Sequence, residues 1–124
     1  MPNCQCSCQG APTLIFACSD AADVGALADA AARALTRQGK GRMYCLAGIG
    51  GRVSGIVATT QAADKILVID GCPLECARKT LEEAGFSSMV HVQLQDLGFR
   101  KGESPATEEN VATVMDVAVA RMGC

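Results

Sequence analysis

Four short apolar stretches divide the chain, and each is followed by a segment in which apolar residues recur at helical spacing. The stretches are rich in aliphatic side chains and alternate little with polar ones, which is typical of strands covered on both faces. They are TLIFAC (13–18), RMYCLA (42–47), KILVID (65–70) and MVHVQL (89–94). Strands that alternate with helices predict βα units and a parallel sheet.

The segments between the strands carry the start and stop signals of helices. Ser19 or Asp20 can cap the first helix, Pro73 suits the first turn of the third, Gly85 ends the third, and Thr107 can cap the last. The residues expected to face the core are Val24, Leu27, Ala28, Ala31, Leu35, Val53, Ile56, Val57, Leu74, Ala77, Leu81, Ala84, Val111, Val114, Met115, Ala118 and Met122.

These elements predict a single α/β domain over residues 12–124, preceded by a cysteine-rich N-terminal arm over residues 1–11. A chain of 124 residues has the length of one domain. The expected fold has three layers and is Rossmann-like or flavodoxin-like, with a four-stranded parallel sheet in the order 2-1-3-4 and helices on both faces.

The charge balance argues against nucleic acid or an anionic membrane as the main partner. Lys and Arg total 11, Asp and Glu total 13, and the formal net charge is -2. The first residues show no basic region leading into an apolar one, and no apolar run approaches the roughly 18 residues of a membrane span. We therefore expect a cytoplasmic protein, and the sequence names no protein partner.

Eight cysteines are an unusually high number for a chain of 124 residues. In a reducing compartment, cysteines more often bind metal or react than form disulfides. Cys18 ends the first stretch, Cys45 lies near the end of the second, and Cys72 and Cys76 flank the turn after the third. Because every strand-to-helix loop of a parallel sheet lies at the same edge, these four are expected to gather there as a shared metal or redox site.

The same edge offers groups that would support thiolates. Helix N-termini favour negative sulfur, glycines let backbone N–H groups approach, and arginines offset excess negative charge. Zinc suits such a site, since it takes four soft ligands with Zn–S bonds of about 2.3 Å. The supporting residues expected around the cysteines are Gly48, Gly50, Gly51, Arg52, Asp70, Gly71 and Arg78.

Two thiol-based enzyme functions are alternatives. Cys72 and Arg78 have the C-x5-R spacing of cysteine phosphatases and arsenate reductases, in which the thiolate attacks and the arginine holds the oxyanion. Pro73 and Glu75 argue against it, because one removes an N–H donor and the other adds negative charge. Redox or persulfide chemistry between Cys72 and Cys76 is the second alternative, although their spacing is C-x3-C.

The motif GIGG (48–51) could also bind phosphate, but it lacks the full glycine pattern and the lysine of nucleotide-binding loops. His91 is interpreted as a packed or surface residue in mid-strand. Asp70 and Asp96 lie near strand ends, where bonding to loop amides is the expected use.

Three segments together resemble the DGC family, which is named for its central tripeptide. They are Asp70-Gly71-Cys72, CSDAADVG from Cys18 and CLAGIGGRVSG from Cys45. The resemblance extends over about residues 13–122. That family is described as zinc-binding because four potential chelating cysteines recur in it, and the resemblance implies that Cys18, Cys45, Cys72 and Cys76 bind Zn²⁺. It implies no reaction.

The remaining cysteines suggest a second thiolate cluster. The arm enters the first strand at its amino end, and the last helix runs back to that same edge. Cys4, Cys6, Cys8 and Cys124 could therefore meet there, and C-x-C-x-C suits soft metal ions. The alternative is an arm whose thiols bind nothing.

Overall fold

A computed structural model of the chain describes residues 12–123. Cys4, Cys6, Cys8 and Cys124, the proposed second cluster, lie outside these residues. The elements in chain order are β1 (Thr13–Ala17), α1 (Asp23–Arg37), β2 (Arg42–Met43), α2 (Leu46–Gly50), α3 (Ser54–Gln61), β3 (Lys65–Asp70), α4 (Cys76–Glu83), β4 (Val90–Gln93), a 3₁₀ turn (Leu94–Leu97) and α5 (Glu108–Met122).

The four strands form one parallel sheet in the order β2-β1-β3-β4. Phe16 pairs with Val68 across the central strands, and Asp70 pairs with Gln93 at the carboxyl edge. The predicted parallel sheet and its strand order are therefore confirmed. Among residues 12–123, no helix has the length and apolarity needed to cross a membrane.

Helices cover both faces of the sheet, as expected of a three-layer α/β fold. Alternate strand residues point to opposite faces. On one face Ile15, Ile69 and Val92 pack with α1 and α5. On the other face Phe16 and Val68 pack with side chains of α2, α3 and α4. The central strands are buried along nearly their whole length, which explains their continuous apolar sequence.

The second strand is shorter than its apolar sequence predicts. It ends at Met43 instead of continuing to Ala47, and Cys45 becomes the N-cap of α2. Its sulfur accepts a hydrogen bond from the backbone N–H of Gly48 at 3.3 Å. The glycine-rich segment 48–51 therefore forms the end of a short helix.

The helix after β3 also begins later than predicted. It starts at Cys76, with Glu75 as its N-cap, and Pro73 lies in the preceding turn. Leu74 was expected to face the core, but it is 64% exposed. Of the other expected core positions, Ala77 and Leu81 are fully buried and Ala84 is half-buried.

The outer helices differ less from expectation. Asp20 accepts a bond from the N–H of Ala22, so it orders the turn before α1, although Ala22 is the N-cap itself. Thr107 caps α5 as predicted, because its hydroxyl oxygen accepts the N–H of Asn110. Gly85 ends α4 with a φ of 97°, the left-handed region that glycine adopts without strain.

Candidate functional site

Cys18 lies directly after β1, at the carboxyl edge of the sheet. Its backbone N–H donates to the carbonyl oxygen of Ile69 at 3.2 Å, which continues the pairing of β1 with β3. Its sulfur accepts the N–H of Gly71 at 3.3 Å. The first cysteine is therefore tied to the residue that precedes Cys72.

Gly71 directly follows β3 and packs against the backbone at the start of α1. A Cβ at this position would lie 2.6 Å from the carbonyl oxygen of Val24, which is closer than real Cβ atoms approach backbone. Only glycine fits this contact without displacement of α1. The middle residue of the Asp-Gly-Cys tripeptide is thus required by close packing.

Burial raises the pKa of Cys18 to about 11, and the bond from Gly71 offsets only part of that rise. Negative charge on Asp70, Asp20 and Cys72 acts in the same direction as burial. Without a metal ion, Cys18 is therefore a protonated thiol at neutral pH. At Cys18, burial outweighs the stabilisation that the backbone N–H of Gly71 gives to a thiolate.

Cys45 and Cys76 are exposed, whereas Cys18 and Cys72 are half-buried. Cys45 reaches the edge through its place after β2, the neighbour of β1, and Cys76 is the first residue of α4. The four cysteines thus occupy loops and helix starts of one sheet edge. Two of the sulfurs, those of Cys18 and Cys45, accept backbone N–H groups of glycines.

Asp70 organises the loop between β3 and α4. Its carboxylate is 1% exposed and accepts the N–H of Ala77 at 2.8 Å and of Arg78 at 3.1 Å. Nε2 of His91 lies 2.8 Å from the same carboxylate. Asp70 therefore has a structural use, but it bonds to amides in the first turn of α4 instead of loop amides, and it also connects to the edge strand β4.

Arg78 is bonded to carboxylates of its own helix. Its guanidinium donates to Glu75 and Glu82, and these contacts raise its pKa, while the pKa of Glu75 is lowered chiefly by the bond from Arg78. Since the N–H groups of Ala77 and Arg78 are bonded to Asp70, the start of α4 does not offer them to an oxyanion. The geometry therefore does not favour an anion cradle at this loop.

The other expected supporting residues have different surroundings. Arg52 donates to the carbonyl oxygens of Ile49, Gly50 and Glu83, the last of which ends α4. Gly50 and Gly51 lie at the end of α2. Asp96 falls in the 3₁₀ turn after β4.

Two residues of β4 belong to this edge, namely His91, which the sequence predicted to be a packed or surface residue, and Gln93, which the sequence did not single out. His91 binds Asp70, and the side-chain amide of Gln93 donates to the carbonyl oxygen of Cys72 at 2.8 Å and to Glu75 at 3.3 Å. His91 and Gln93 lie on either side of the buried Val92 along β4. Since β4 neighbours β3 in the predicted strand order, the polar residues that alternate with the apolar residues of β4 were the sequence signal that could have identified them.

The donor set suits a thiophilic ion, because four thiols are the ligands that closed zinc sites use. Within residues 12–123, however, no group of three or more His, Cys, Asp or Glu side chains is arranged to hold a metal ion. The cysteines therefore share an edge without forming a closed tetrahedral set. Closing such a set requires side-chain or loop movement, and the exposed thiols of Cys45 and Cys76 are those with room to move.

A family model of the DGC domain matches residues 14–118, which include all four of these cysteines. The chain belongs to the DGC family. This DGC protein is 32% identical over 109 residues to the anaerobic and virulence modulator AnvM of Pseudomonas aeruginosa. The match covers 88% of this chain and 83% of the relative. No solved structure matches the chain.

Proposed function

We propose that this DGC protein binds Zn²⁺ through the thiols of Cys18, Cys45, Cys72 and Cys76 at the carboxyl edge of its sheet. The proposal carries with it a cytoplasmic location, since a reducing compartment keeps such thiols free of disulfides. The ion would connect the segments that follow β1, β2 and β3.

The observation that carries this proposal is the pair of backbone bonds to sulfur. Gly71 donates to Cys18 and Gly48 donates to Cys45, each at 3.3 Å. Such donors stabilise the negative charge that sulfur carries when it binds a metal, and they orient the ligand. The convergence of the β-strand ends brings these two sulfurs and those of Cys72 and Cys76 to one edge.

A site with four protein thiolates has no open position for a substrate, so it would act structurally or as a sensor of metal or thiol state. The Pseudomonas relative is named as a modulator. We extend that regulatory character to this chain as part of the proposal. Loss or gain of the ion would then alter how the loops at this edge are held.

Phosphatase or arsenate reductase chemistry is less well supported. A cysteine nucleophile of that kind needs free N–H donors and a free arginine around the oxyanion. Here the two N–H groups at the start of α4 bind Asp70, and Arg78 binds Glu75 and Glu82. The same contacts suit a loop that is fixed in place better than one that cradles an anion.

The test is elemental analysis of protein purified under reducing conditions without added metal. We expect about one zinc ion per chain, bound at the four core cysteines, because a closed thiolate site holds one zinc ion with four ligands. Each single Cys-to-Ser substitution at these positions should lower the zinc content or weaken its retention against a chelator.

The arm provides a matched control for this experiment. A variant with Cys4, Cys6 and Cys8 all changed to serine loses three thiols, yet it should keep the core zinc. A second metal equivalent that is lost in this variant, and equally in Cys124→Ser, would support the additional cluster. Zinc content that is unchanged by all four core substitutions, or a disulfide between Cys72 and Cys76 that persists under these reducing conditions, would overturn the proposed function.

A further inference from the structure

The loop that carries Cys72 and Cys76 is held by side chains that the proposed zinc site does not use. Glu75, the last residue of this loop before α4, has a φ of 56° and a ψ of 48°. This left-handed conformation is unfavourable for a residue with a Cβ and persists where surrounding contacts enforce it. Backbone bonds to Cys72 and from Lys79 hold its main chain, and one residue on α4 and one on β4 hold its side chain.

These side-chain contacts form what we call the clasp, which consists of Glu75, Arg78 and Gln93. One carboxylate oxygen of Glu75 accepts a hydrogen bond from Nε of Arg78 at 2.9 Å, and the other accepts one from the side-chain amide of Gln93 at 3.3 Å. The same amide donates to the carbonyl oxygen of Cys72 at 2.8 Å. The clasp thus fixes the backbone at the first cysteine and the side chain just before the second.

The clasp fixes the loop in an arrangement in which the thiols are not gathered. Cys76 is exposed, Cys72 is half-buried, and within residues 12–123 no three potential ligands are placed for a metal ion. Because Glu75 directly precedes Cys76, a loop movement that carries the second thiol inward requires a change at the residue that the clasp holds.

We propose that the clasp positions Cys76 away from the other thiols and thereby lowers the affinity of the site for a thiophilic metal ion. This inference rests on the proposed function. Glu75, Arg78 and Gln93 are positioning residues in it and contact no metal. Opening the clasp exchanges its hydrogen bonds for metal–sulfur bonds, so the clasp sets the metal concentration at which the loop closes.

Arg78→Gln tests this directly, because it removes both carboxylate contacts of the guanidinium. Zinc affinity, measured by competition with a chelating dye, should rise by about three- to ten-fold, the range that one hydrogen bond of ordinary net strength supplies. Arg78→Lys, which keeps the charge, should lie closer to wild type.

Arg33→Gln is the matched control. Arg33 pairs with Asp29 at i,i+4 on α1, so the substitution removes the same charge from a similar helical ion pair. Among the described residues, the hydrogen bond and ion pair of the Arg33 side chain are with Asp29 and not with the loop. Its substitution should therefore change zinc affinity by less than about two-fold, as expected of a surface pair. A rise in zinc affinity caused only by the change in net charge would appear equally in Arg78→Gln and Arg33→Gln.

A measurement without zinc separates the clasp from the proposed function. Phenylarsine oxide bridges two thiols that come close together, and peptide mass spectrometry shows whether it joins Cys72 to Cys76. Bridging in metal-free Arg78→Gln should exceed that in wild type and in Arg33→Gln by at least about three-fold, for the same reason as the zinc affinity.

If wild-type protein binds zinc, the inference requires both zinc affinity and bridging to rise in Arg78→Gln, and failure of either overturns it. If wild-type protein binds no zinc, the proposed function fails, and bridging alone decides whether the clasp holds Cys76 away from Cys72. Increased bridging in Arg78→Gln then supports this inference, whereas unchanged bridging overturns it.

Discussion

Nε2 of His91 lies 2.8 Å from Oδ2 of Asp70, which joins the edge strand β4 to the carboxyl end of β3. The same carboxylate accepts two N–H groups of the first turn of α4, from Ala77 and Arg78. Asp70 is 1% exposed, so water does not replace these partners. One side chain therefore connects two strands with the helix that carries Cys76.

Asp70→Ala should destabilise the protein by about 2–4 kcal/mol, because it leaves the buried N–H of Ala77 and the half-buried N–H of Arg78 and ring of His91 without their partner. Urea denaturation gives this value. Hydrogen exchange at the amides of Ala77 and Arg78 should also become faster, since these amides lose their acceptor.

Asp116→Ala is the control, because Asp116 lies exposed on α5. It should change the free energy of unfolding by no more than about 0.5 kcal/mol. If Asp70→Ala is as mild as this control, Asp70 does not have the structural role that its contacts indicate.

The sequence predicted the sheet more accurately than the loops at its edge. Apolar continuity placed β3 at 65–70, where it is observed, and the spacing of strands and helices predicted the parallel order. These features depend on local periodicity and on general rules of chain topology. They did not require knowledge of individual long-range contacts.

The edge itself depends on contacts between distant residues. Pro73 marked a good local start for α4, but Asp70 binds amides seven and eight residues further on, and the helix begins only at Cys76. His91 and its partner Asp70 are 21 positions apart, and their meeting depends on strand register. Sequence periodicity therefore located the candidate cysteines at an edge, whereas the bonds around them followed from tertiary packing.

Leu74 and Leu81 test the corrected start of α4. Leu81 is fully buried and Leu74 is 64% exposed, although one helical pattern predicted both inside. Leu81→Ala should therefore cost about 2–5 kcal/mol through lost burial and a cavity. Leu74→Ala should change stability by no more than about 0.5 kcal/mol. Equal losses in urea denaturation would restore the predicted earlier helix.

Asp23 should make stability depend on pH in the acid range. Its carboxylate accepts the N–H groups of Gly102 and Ser104, which hold the loop before α5 against the start of α1, and these bonds lower its pKa. A lowered folded pKa adds stability that is fully present above the unfolded pKa, about 3.9 for aspartate. That stability is lost as pH falls through the lower, folded pKa.

Asp23→Asn should therefore be less stable than wild type at pH 6, and the difference should shrink as pH falls below about 4, the ordinary range of an aspartate. Urea midpoints across this range measure it. Asp64→Asn, an exposed aspartate, is the control and should follow the wild-type curve. A gap between Asp23→Asn and wild type that stays constant down to the lowest pH would contradict the role of the charge.

Alanine substitutions at Gly71 and Gly55 are expected to change the stability of the protein in opposite directions. Alanine at Gly71 would bring a Cβ to 2.6 Å from the carbonyl oxygen of Val24, whereas alanine at Gly55, inside α3, would meet nothing within 4 Å. Gly71→Ala should cost about 1–3 kcal/mol, the usual penalty of overpacking, because backbone of α1 must move.

Gly55→Ala should instead add up to about 1 kcal/mol, because alanine loses less conformational freedom in a helix. Thermal or urea denaturation of both variants checks the pair. Gly71→Ala should also weaken the bond from the residue-71 N–H to the sulfur of Cys18, and a zinc affinity that falls in Gly71→Ala but not in Gly55→Ala would connect this packing to the site. If Gly71→Ala is as stable as wild type, α1 can move away from β3 freely, and close packing does not explain the glycine of the tripeptide.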